Sequence, residues 1–252
     1  MKNTTKKTVW SLTDEQIDRI IAIAMAIINA LIAAACVPVR ISISRGNEKI
    51  GRCLNFNTMP IITCGNCDDC KHLCYAAKLC HQYWKTVIPA WAKNTFMIRK
   101  HPESVYEQMD KAMSRRRNHK YLRWHVAGEF QKLNEIDLLF RLARKHPEFQ
   151  CWTYTKMYPL INQYIHEHGG KSCIPANLHI MFSAWGVNAP RYILNPYGLP
   201  YYITVVDENG EKAPENVFKC PGRCDLCKAE YSADGCFHGC ILGETTYTHT
   251  HN

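Results

Sequence analysis

Four cysteines lie within one short stretch of the chain, at Cys64, Cys67, Cys70 and Cys74. Their spacing, C-x2-C-x2-C-x3-C, is that of the bacterial ferredoxin run, with Tyr75 in place of its final proline. Thiolates at this spacing can converge from one tight loop, whose backbone N–H groups stabilise the negative charge of an iron–sulfur cluster. The run therefore predicts an iron–sulfur site, in which Cys80 could replace one ligand. Zinc also accepts four closely spaced thiolates, so a zinc site is the alternative.

A second group of cysteines lies near the C-terminus, at Cys220, Cys224, Cys227, Cys236 and Cys240. The first three have the x3, x2 spacing associated with radical S-adenosylmethionine enzymes, although that motif usually follows an early strand of the fold. By ligand softness and geometry, an iron–sulfur cluster and zinc fit this group equally well. We therefore expect a second metal site here.

The number of cysteines indicates the compartment in which the protein works. There are 14 in the chain, and the N-terminus lacks the pattern of a secretory signal peptide. In a protein that is not exported, closely spaced cysteines are metal ligands more often than disulfides. We expect a cytoplasmic protein in which the scattered Cys36, Cys53, Cys151 and Cys173 are small buried hydrophobes.

Composition and charge describe a folded, basic protein. The 252 residues are 46% hydrophobic and 21% charged, which excludes an intrinsically disordered chain. The net charge of +9 favours an anionic partner, of which nucleic acid is the commonest. A small-molecule cofactor is compatible with the same charge, and the oligomeric state is not predicted.

Residues 1–38 combine a basic N-terminal segment with an apolar helix. Thr13 and Gln16 match a capping box at the helix start. Residues 20–39 are long enough to cross a bilayer, but they are rich in alanine. Ala22 and Ala26, with further alanines at the same spacing, form a small-residue stripe suited to close packing. We expect a helix packed on the body or on a second subunit rather than a membrane span.

Residues 39–218 alternate between strand and helix patterns. Strands are predicted near residues 39–44, 50–56, 121–126, 149–154, 178–183 and 201–206, and helices at 84–99, 102–118, 132–145 and 159–168. Such repetition predicts right-handed crossovers and a parallel sheet, with too few units for a complete barrel. The predicted fold is an open, partial parallel α/β barrel with cysteine-rich metal-binding loops and an extra N-terminal helix. Residues 219–244 would form a metal-binding segment and residues 245–252 a disordered tail.

Several polar residues follow the predicted strands, where parallel sheets bind their ligands. The predicted catalytic residues are His125, Glu129 and Lys156, and the predicted cofactor contacts are Tyr75, Tyr154 and Ser183. Individually, a buried histidine, a carboxylate near a helix start and a solvated lysine explain the first three equally well. Together with the cysteine run, which would face the same edge, they predict an active site.

Three stretches of the sequence resemble one family. They are Thr63 to Ala76 with its cysteines, the segment LRWHVAGEF at residues 122–130, and WTYTK at residues 152–156. In order and spacing they are similar to the gene product 88 family of phages and mobile elements, over about residues 40–240. The chain departs from that family by the extra Cys67 and by Glu129, where aspartate is usual. The Cys-Tyr-Ala element also looks like phage proteins with a radical-enzyme-like partial barrel. The resemblance implies a fold and a biological setting, but no established reaction.

Two classes of function follow from these residues. The first is an iron–sulfur enzyme that performs radical or redox chemistry on nucleic acid or its precursors. In its radical form, three cysteines of the first run leave one iron open for S-adenosylmethionine. The second is a zinc-stapled module that binds nucleic acid or protein without catalysis. Membrane attachment through residues 20–39 is a third, less favoured hypothesis.

Overall fold

The structure, a computed structural model, describes residues 10–34, 37–47, 50–65, 67–115, 119–222 and 245–250. The α-helices in this part are α1 (Asp14–Ala33), α2 (Tyr75–Gln82), α3 (Val87–Lys100), α4 (Pro102–Arg115), α5 (Leu133–Lys145) and α6 (Tyr158–Glu167). The strands are β1 (Ile43–Asn47), β2 (Gly51–Phe56), β3 (Tyr121–Trp124), β4 (Gln150–Thr155), β5 (Leu178–Trp185), β6 (Tyr201–Val205), β7 (Phe218–Lys219) and β8 (Thr246–His249).

All eight strands belong to one sheet, in the order β1-β2-β3-β4-β5-β6-β8-β7. β1 pairs with β2 as an antiparallel hairpin, and every other neighbouring pair is parallel. Helices connect β2 through β5 in sequence order, as expected for crossover units. The prediction of an α/β protein with a mostly parallel sheet is confirmed.

The prediction of a disordered tail over residues 245–252 is wrong for residues 246–249, which form β8. This strand lies between β6 and β7 and pairs with both. Thr246 and Thr248 are buried, and threonine suits a pleated, half-buried strand. Thr250 extends the pairing, since its N–H donates to the carbonyl of Val205 at 2.9 Å.

The main core lies between one face of the sheet and the helices α3 to α6. In β3, Leu122 and Trp124 point into this core, whereas Arg123 between them points to the opposite face, as strand alternation requires. α5 buries Ile136 and Leu139, as its hydrophobic spacing predicts. The predicted helix at residues 84–99 begins slightly later, at Val87, so that Pro89 falls in its first turn, where proline is tolerated.

The opposite face of the sheet carries a smaller cluster. Its buried members are Cys53, Trp152 and Met181, and its partly buried members are Ile50, Tyr121, Tyr154, Tyr202 and Phe218. Within the described ranges, no helix contributes a residue to this cluster. We call it the helix-free face of the sheet.

α1 begins with the predicted capping box, in which Thr13 and Gln16 exchange both hydrogen bonds. The helix packs mainly on α3, and its buried side includes Ile17, Ile20 and Ile28. The predicted packing stripe of Ala22, Ala26, Ala30 and Ala33 is instead exposed. Isoleucine removes more apolar area from water than alanine does, so the isoleucine side of the helix is buried.

α1 is also the one described helix whose length and composition would allow it to cross a membrane. Core helices of soluble proteins and signal sequences meet the same criteria, so this finding alone is weak evidence for a membrane span. Because one side of α1 is buried against the α/β domain, the described chain gives no clear indication of a membrane protein.

Candidate active site and metal centre

The cysteine run lies in the loop that joins β2 to α2, at the carboxyl end of the parallel strands. Phe56 at the end of β2 is in register with Trp124 at the end of β3. The two loops that follow these strands therefore start side by side. Asn57 fixes them to each other, because its Oδ1 accepts from the backbone N–H of Val126 at 2.9 Å and of Ala127 at 3.3 Å.

Gly128 marks the closest approach of these two loops. It has a φ of +82°, and a Cβ atom there would lie 2.0 Å from Thr58 Oγ1 and 2.7 Å from Thr63 Oγ1. Thr63 Oγ1 donates to the carbonyl of Met59 at 2.8 Å and accepts from the N–H of Glu129 at 3.1 Å. Only glycine fits this conformation and this contact. The loop after β3 is thus fixed directly on the segment that leads into Cys64.

Glu129 connects the loop after β3 to the end of β4. Its carboxylate is buried, with Oε2 accepting from Thr155 Oγ1 at 2.6 Å and Oε1 from the N–H of Lys156 at 2.9 Å. Burial raises the pKa of Glu129, and these two hydrogen bonds oppose that rise. The carboxylate therefore holds Lys156 in place through its backbone.

Lys156 brings a positive charge to the cysteine run. Its Nζ lies 3.1 Å from Cys70 Sγ and 5.2 Å from the centroid of the Trp185 ring. Burial acts to lower the pKa of Lys156, but the neighbouring Cys70 raises it, and the net shift is upward. The ammonium group therefore keeps its charge beside the sulfur atom.

The thiols of Cys64, Cys67 and Cys74 resist ionisation, since each has a raised pKa. Burial raises the pKa of Cys64, and the nearby Glu129 adds to the rise. Burial also raises the pKa of Cys67 and of Cys74, although the backbone N–H groups at the start of α2 act to lower that of Cys74. Thiols must lose their protons to bind a metal, so binding here is coupled to proton release.

The chemistry of this donor set fits a thiolate-bound metal centre. Cys67 and Cys70 form a tight turn, in which the N–H groups of Cys70 and Lys71 donate to the carbonyl of Cys67. Throughout the described part of the chain, however, no three side chains of His, Cys, Asp or Glu are grouped so that they could hold one metal ion. The metal-binding role of Cys64, Cys67, Cys70 and Cys74 stays a prediction.

Cys80 occupies a different environment from the loop cysteines. It lies in α2 and is fully buried among residues of α1 and α3. It lines a cavity of about 640 Å³ together with Trp10, Arg19 and Trp84. This cavity contains none of the predicted catalytic residues, so we do not assign the candidate site to it.

His125 is completely enclosed in the protein. Its Nε2 lies 2.8 Å from Glu135 Oε1 and its Nδ1 lies 3.5 Å from Thr58 Oγ1, while Phe130 packs edge-on against the ring. The residue has a φ of +57°, an uncommon conformation for histidine. The side chain thus connects the loop after β3 to α5 and exposes no surface to a substrate.

Two of the three predicted cofactor contacts lie around Arg123. The Tyr154 ring is 4.8 Å from the Arg123 guanidinium carbon. Tyr75 is 41% exposed as a residue, but desolvation of its hydroxyl raises its pKa to about 12, and the charge of Arg123 lowers the pKa in part. The Tyr75 hydroxyl donates to the carbonyl of Val126. Ser183 lies further along the sheet, where its carbonyl accepts from the hydroxyl of Tyr158.

The sequence analysis did not identify Arg123 and Tyr202 as site residues. Tyr202 lies 4.8 Å from Tyr154, centroid to centroid. Burial raises the pKa of Tyr202, and a hydrogen bond to Cys220 raises it further. Cys220, the first cysteine of the second group, therefore reaches the helix-free face. The other four cysteines of that group lie outside the described residues: Cys224, Cys227, Cys236 and Cys240. Arg123 could have been identified from the sequence, because it is a charged residue between Leu122 and Trp124 in an otherwise apolar strand.

Comparison with known proteins agrees with the resemblance. No curated protein and no solved structure matches the chain. The sequence model of the family described as Gene product 88 matches residues 42–218, from just before β1 to the start of β7. This match includes the cysteine run, Glu129 and Lys156, and it ends before the second cysteine group, earlier than the expected residue 240. Because it covers well over half of the 252 residues, the protein belongs to the gene product 88 family.

Proposed function

We propose that residues 64–74 bind an iron–sulfur cluster at the carboxyl edge of the sheet, and that the protein is an enzyme which uses it for redox or radical chemistry. The contact between Lys156 Nζ and Cys70 Sγ, at 3.1 Å, carries this proposal. A cluster bound by thiolates is negatively charged, and a buried negative charge needs a nearby cation. Lys156 supplies that cation from the end of β4.

The chain's own residues have distinct roles in this proposal. The cluster, when bound, supplies electron transfer. Lys156 offsets the charge of its ligands, and Glu129 fixes Lys156 through the backbone hydrogen bond. His125 and Gly128 act as positioning residues, because they hold the loop after β3 against the cysteine run. Tyr154 lies against Arg123 and Tyr75 directly follows Cys74, so both would contact a bound cofactor or substrate.

The same proposal includes a partial barrel as the fold and nucleic acid or its precursors as the substrate. Parallel strands β2 to β6 follow one another in sequence order with helices packed on one face, which supports a partial barrel. In that arrangement the helix-free face would form the inside. The net charge of +9 supports nucleic acid or its precursors as the substrate. S-adenosylmethionine would bind if one iron has no cysteine ligand.

A zinc-stapled binding module is the second candidate function. The tight turn at Cys67 and Cys70 supports it, since short-spaced cysteine pairs on such turns are typical zinc ligands. In this case Lys156 would offset the charge of a zinc–thiolate centre instead. The basic surface would then bind nucleic acid or protein, and the protein would lack catalytic activity.

The deciding experiment measures the metal. The wild type, Cys70→Ala and the control Cys173→Ala are purified anaerobically, and iron, sulfide and zinc are quantified. We expect a brown wild type whose iron and sulfide fall strongly in Cys70→Ala but stay unchanged in Cys173→Ala, because Cys173 lies outside the run. A colourless protein with stoichiometric zinc would support the binding module. A wild type that holds neither metal would refute both.

A further inference from the structure

Arg123 is a cation that pairs with no carboxylate among the described residues. Its Nε is shielded from water and, among the residues that the structure describes, has no hydrogen-bond partner. Its guanidinium carbon lies 4.8 Å from the centroid of the Tyr154 ring, which is a cation–π distance. A charge that is removed from water without an ionic partner is strongly unfavourable, so a missing partner is expected.

The position of β3 explains why the Arg123 Nε is shielded from water, although the residue as a whole is half-buried. β3 is an interior strand that pairs with β2 on one side and with β4 on the other. Leu122 and Trp124 face the helices, so Arg123 must face the helix-free side of the sheet. The register places it next to Asn55 of β2 and Trp152 of β4. Its side chain is therefore held on this face.

The neighbours of Arg123 do not neutralise it. After burial, the groups that affect its pKa most are Tyr75, Tyr154, Tyr202 and Cys53, and none of them is a carboxylate. A tyrosine hydroxyl is ordinarily neutral near pH 7. The Tyr154 ring lies against the guanidinium and the Tyr202 ring lies against Tyr154, so these neighbours provide aromatic surface and hydroxyl groups but no negative charge.

We propose that Arg123, with Tyr154 and Tyr202, binds the anionic group of a small-molecule substrate or cofactor, either a phosphate ester or a carboxylate. Guanidinium binds both groups through two parallel hydrogen bonds. Tyr154, which lies against Arg123, is two residues before Lys156, which contacts Cys70, so the anion is held near the cysteine run. This inference depends on one part of the proposed function, namely that the active site lies at this edge of the sheet.

The test compares anion binding by four proteins, using isothermal titration calorimetry. Inorganic phosphate and succinate are titrated separately into the wild type, Arg123→Lys, Arg123→Met and the control Arg52→Met, which removes the same charge from an exposed position on β2. We expect the wild type and Arg52→Met to bind at least one anion with equal affinity. Arg123→Met should bind it at least tenfold more weakly, and Arg123→Lys should be intermediate, because it keeps the charge but loses the bidentate geometry. The preferred anion identifies the ligand as a phosphate ester or a carboxylate.

Thermal unfolding provides a second readout, which is measured first without and then with added anion. Without added anion, Arg123→Met should be at least as stable as the wild type, because it removes an unpaired buried charge. The preferred anion should raise the melting temperature of the wild type but not that of Arg123→Met. Arg123→Lys tests the same anion-dependent shift if Arg123→Met fails to fold.

Two results would overturn the inference. One is a wild type that binds neither anion. The other is an Arg123→Met variant that binds as well as the wild type. If Arg123→Met is instead strongly destabilised, and no anion binds, Arg123 serves the stability of the fold and the inference is refuted as well. Iron is measured on the same samples, so that loss of the anion site is distinguished from absence of the cluster.

Discussion

Replacing Gly128 with alanine should destabilise the whole protein and reduce metal binding, although the residue is not a ligand. The new Cβ would lie 2.0 Å from Thr58 Oγ1 and 2.7 Å from Thr63 Oγ1, distances at which the two loops must separate. Separation breaks the hydrogen bond from the N–H of Glu129 to Thr63 Oγ1. The carboxylate that holds Lys156 would shift with it.

The structure allows the size of this effect to be worked out. A left-handed conformation costs alanine about 1–2 kcal/mol. A lost buried hydrogen bond adds about 1 kcal/mol, and forcing extra volume into a packed site adds about 1–3 kcal/mol. The sum is about 3–6 kcal/mol. For a chain of this length, at about 2–4 °C per kcal/mol, it corresponds to a fall in melting temperature of about 6–24 °C.

The matched control is Gly169→Ala. Gly169 also has a positive φ, of +90°, but nothing lies within 4 Å of the position where its Cβ would be. This variant should therefore lose only the conformational part, about 1–2 kcal/mol. Stability is measured by chemical denaturation, and metal content is measured on the same preparations. Equal losses of stability in the two variants would refute the reasoning, because they would mean that the contact between the two loops contributes nothing.

Three further predictions follow from buried groups. Lys156→Met should reduce iron retention about tenfold or more. The control Lys132→Met, which removes a lysine from an exposed position, should leave iron retention unchanged. Metal analysis after dialysis against a chelator measures the retention in both variants. His125→Ala should cost about 3 kcal/mol of stability, because Glu135 Oε1 stays buried without its hydrogen-bond partner, while Oε2 still accepts from the N–H of Gln131. The double variant with Glu135→Gln should recover part of that loss in chemical denaturation. Burial raises the pKa of Cys151, so its thiol favours folding below the ordinary thiol pKa and loses this contribution as pH rises above about 9. Stability measured against pH should therefore fall more steeply in the wild type than in Cys151→Ala, by up to about 1.4 kcal/mol per pH unit.

Hydrophobic periodicity predicted most of the fold because the main core has one sheet face and one helix layer. The spacing of Ile136 and Leu139 indicated α5, and the apolar run that contains Leu122 indicated β3. α2 was missed, since its eight residues follow a cysteine loop and bury only Ala76, Ala77 and Cys80. β8 was missed because its threonines and histidine resemble a solvated tail. Its stability comes from pairing with β6 and β7, which no local pattern reveals.

The candidate site was predicted in part, because parallel strands bring their carboxyl ends to one edge. That rule predicted that Glu129 and Lys156 lie near the cysteine run, and the hydrogen bonds of both residues agree with it. It could not predict that both ring nitrogens of His125 are engaged inside the protein. Nor could it identify Tyr202, which reaches Tyr154 only because β6 pairs with β5.

Charge explains why the two half-buried cations would have different roles. The site contains Lys156 and Arg123 as cations and Glu129 as a carboxylate, whose two oxygens already accept from Thr155 and Lys156. A zinc ion with four thiolates carries a formal charge of about −2, and an iron–sulfur cluster with thiolate ligands is also anionic. Lys156 is in contact with the cysteine run and can offset this charge directly. Arg123 instead lies against Tyr154 on the helix-free face. A metal centre on the loop would therefore satisfy Lys156 and leave Arg123 available for a second anion, so the metal and the ligand can occupy adjacent places in one site.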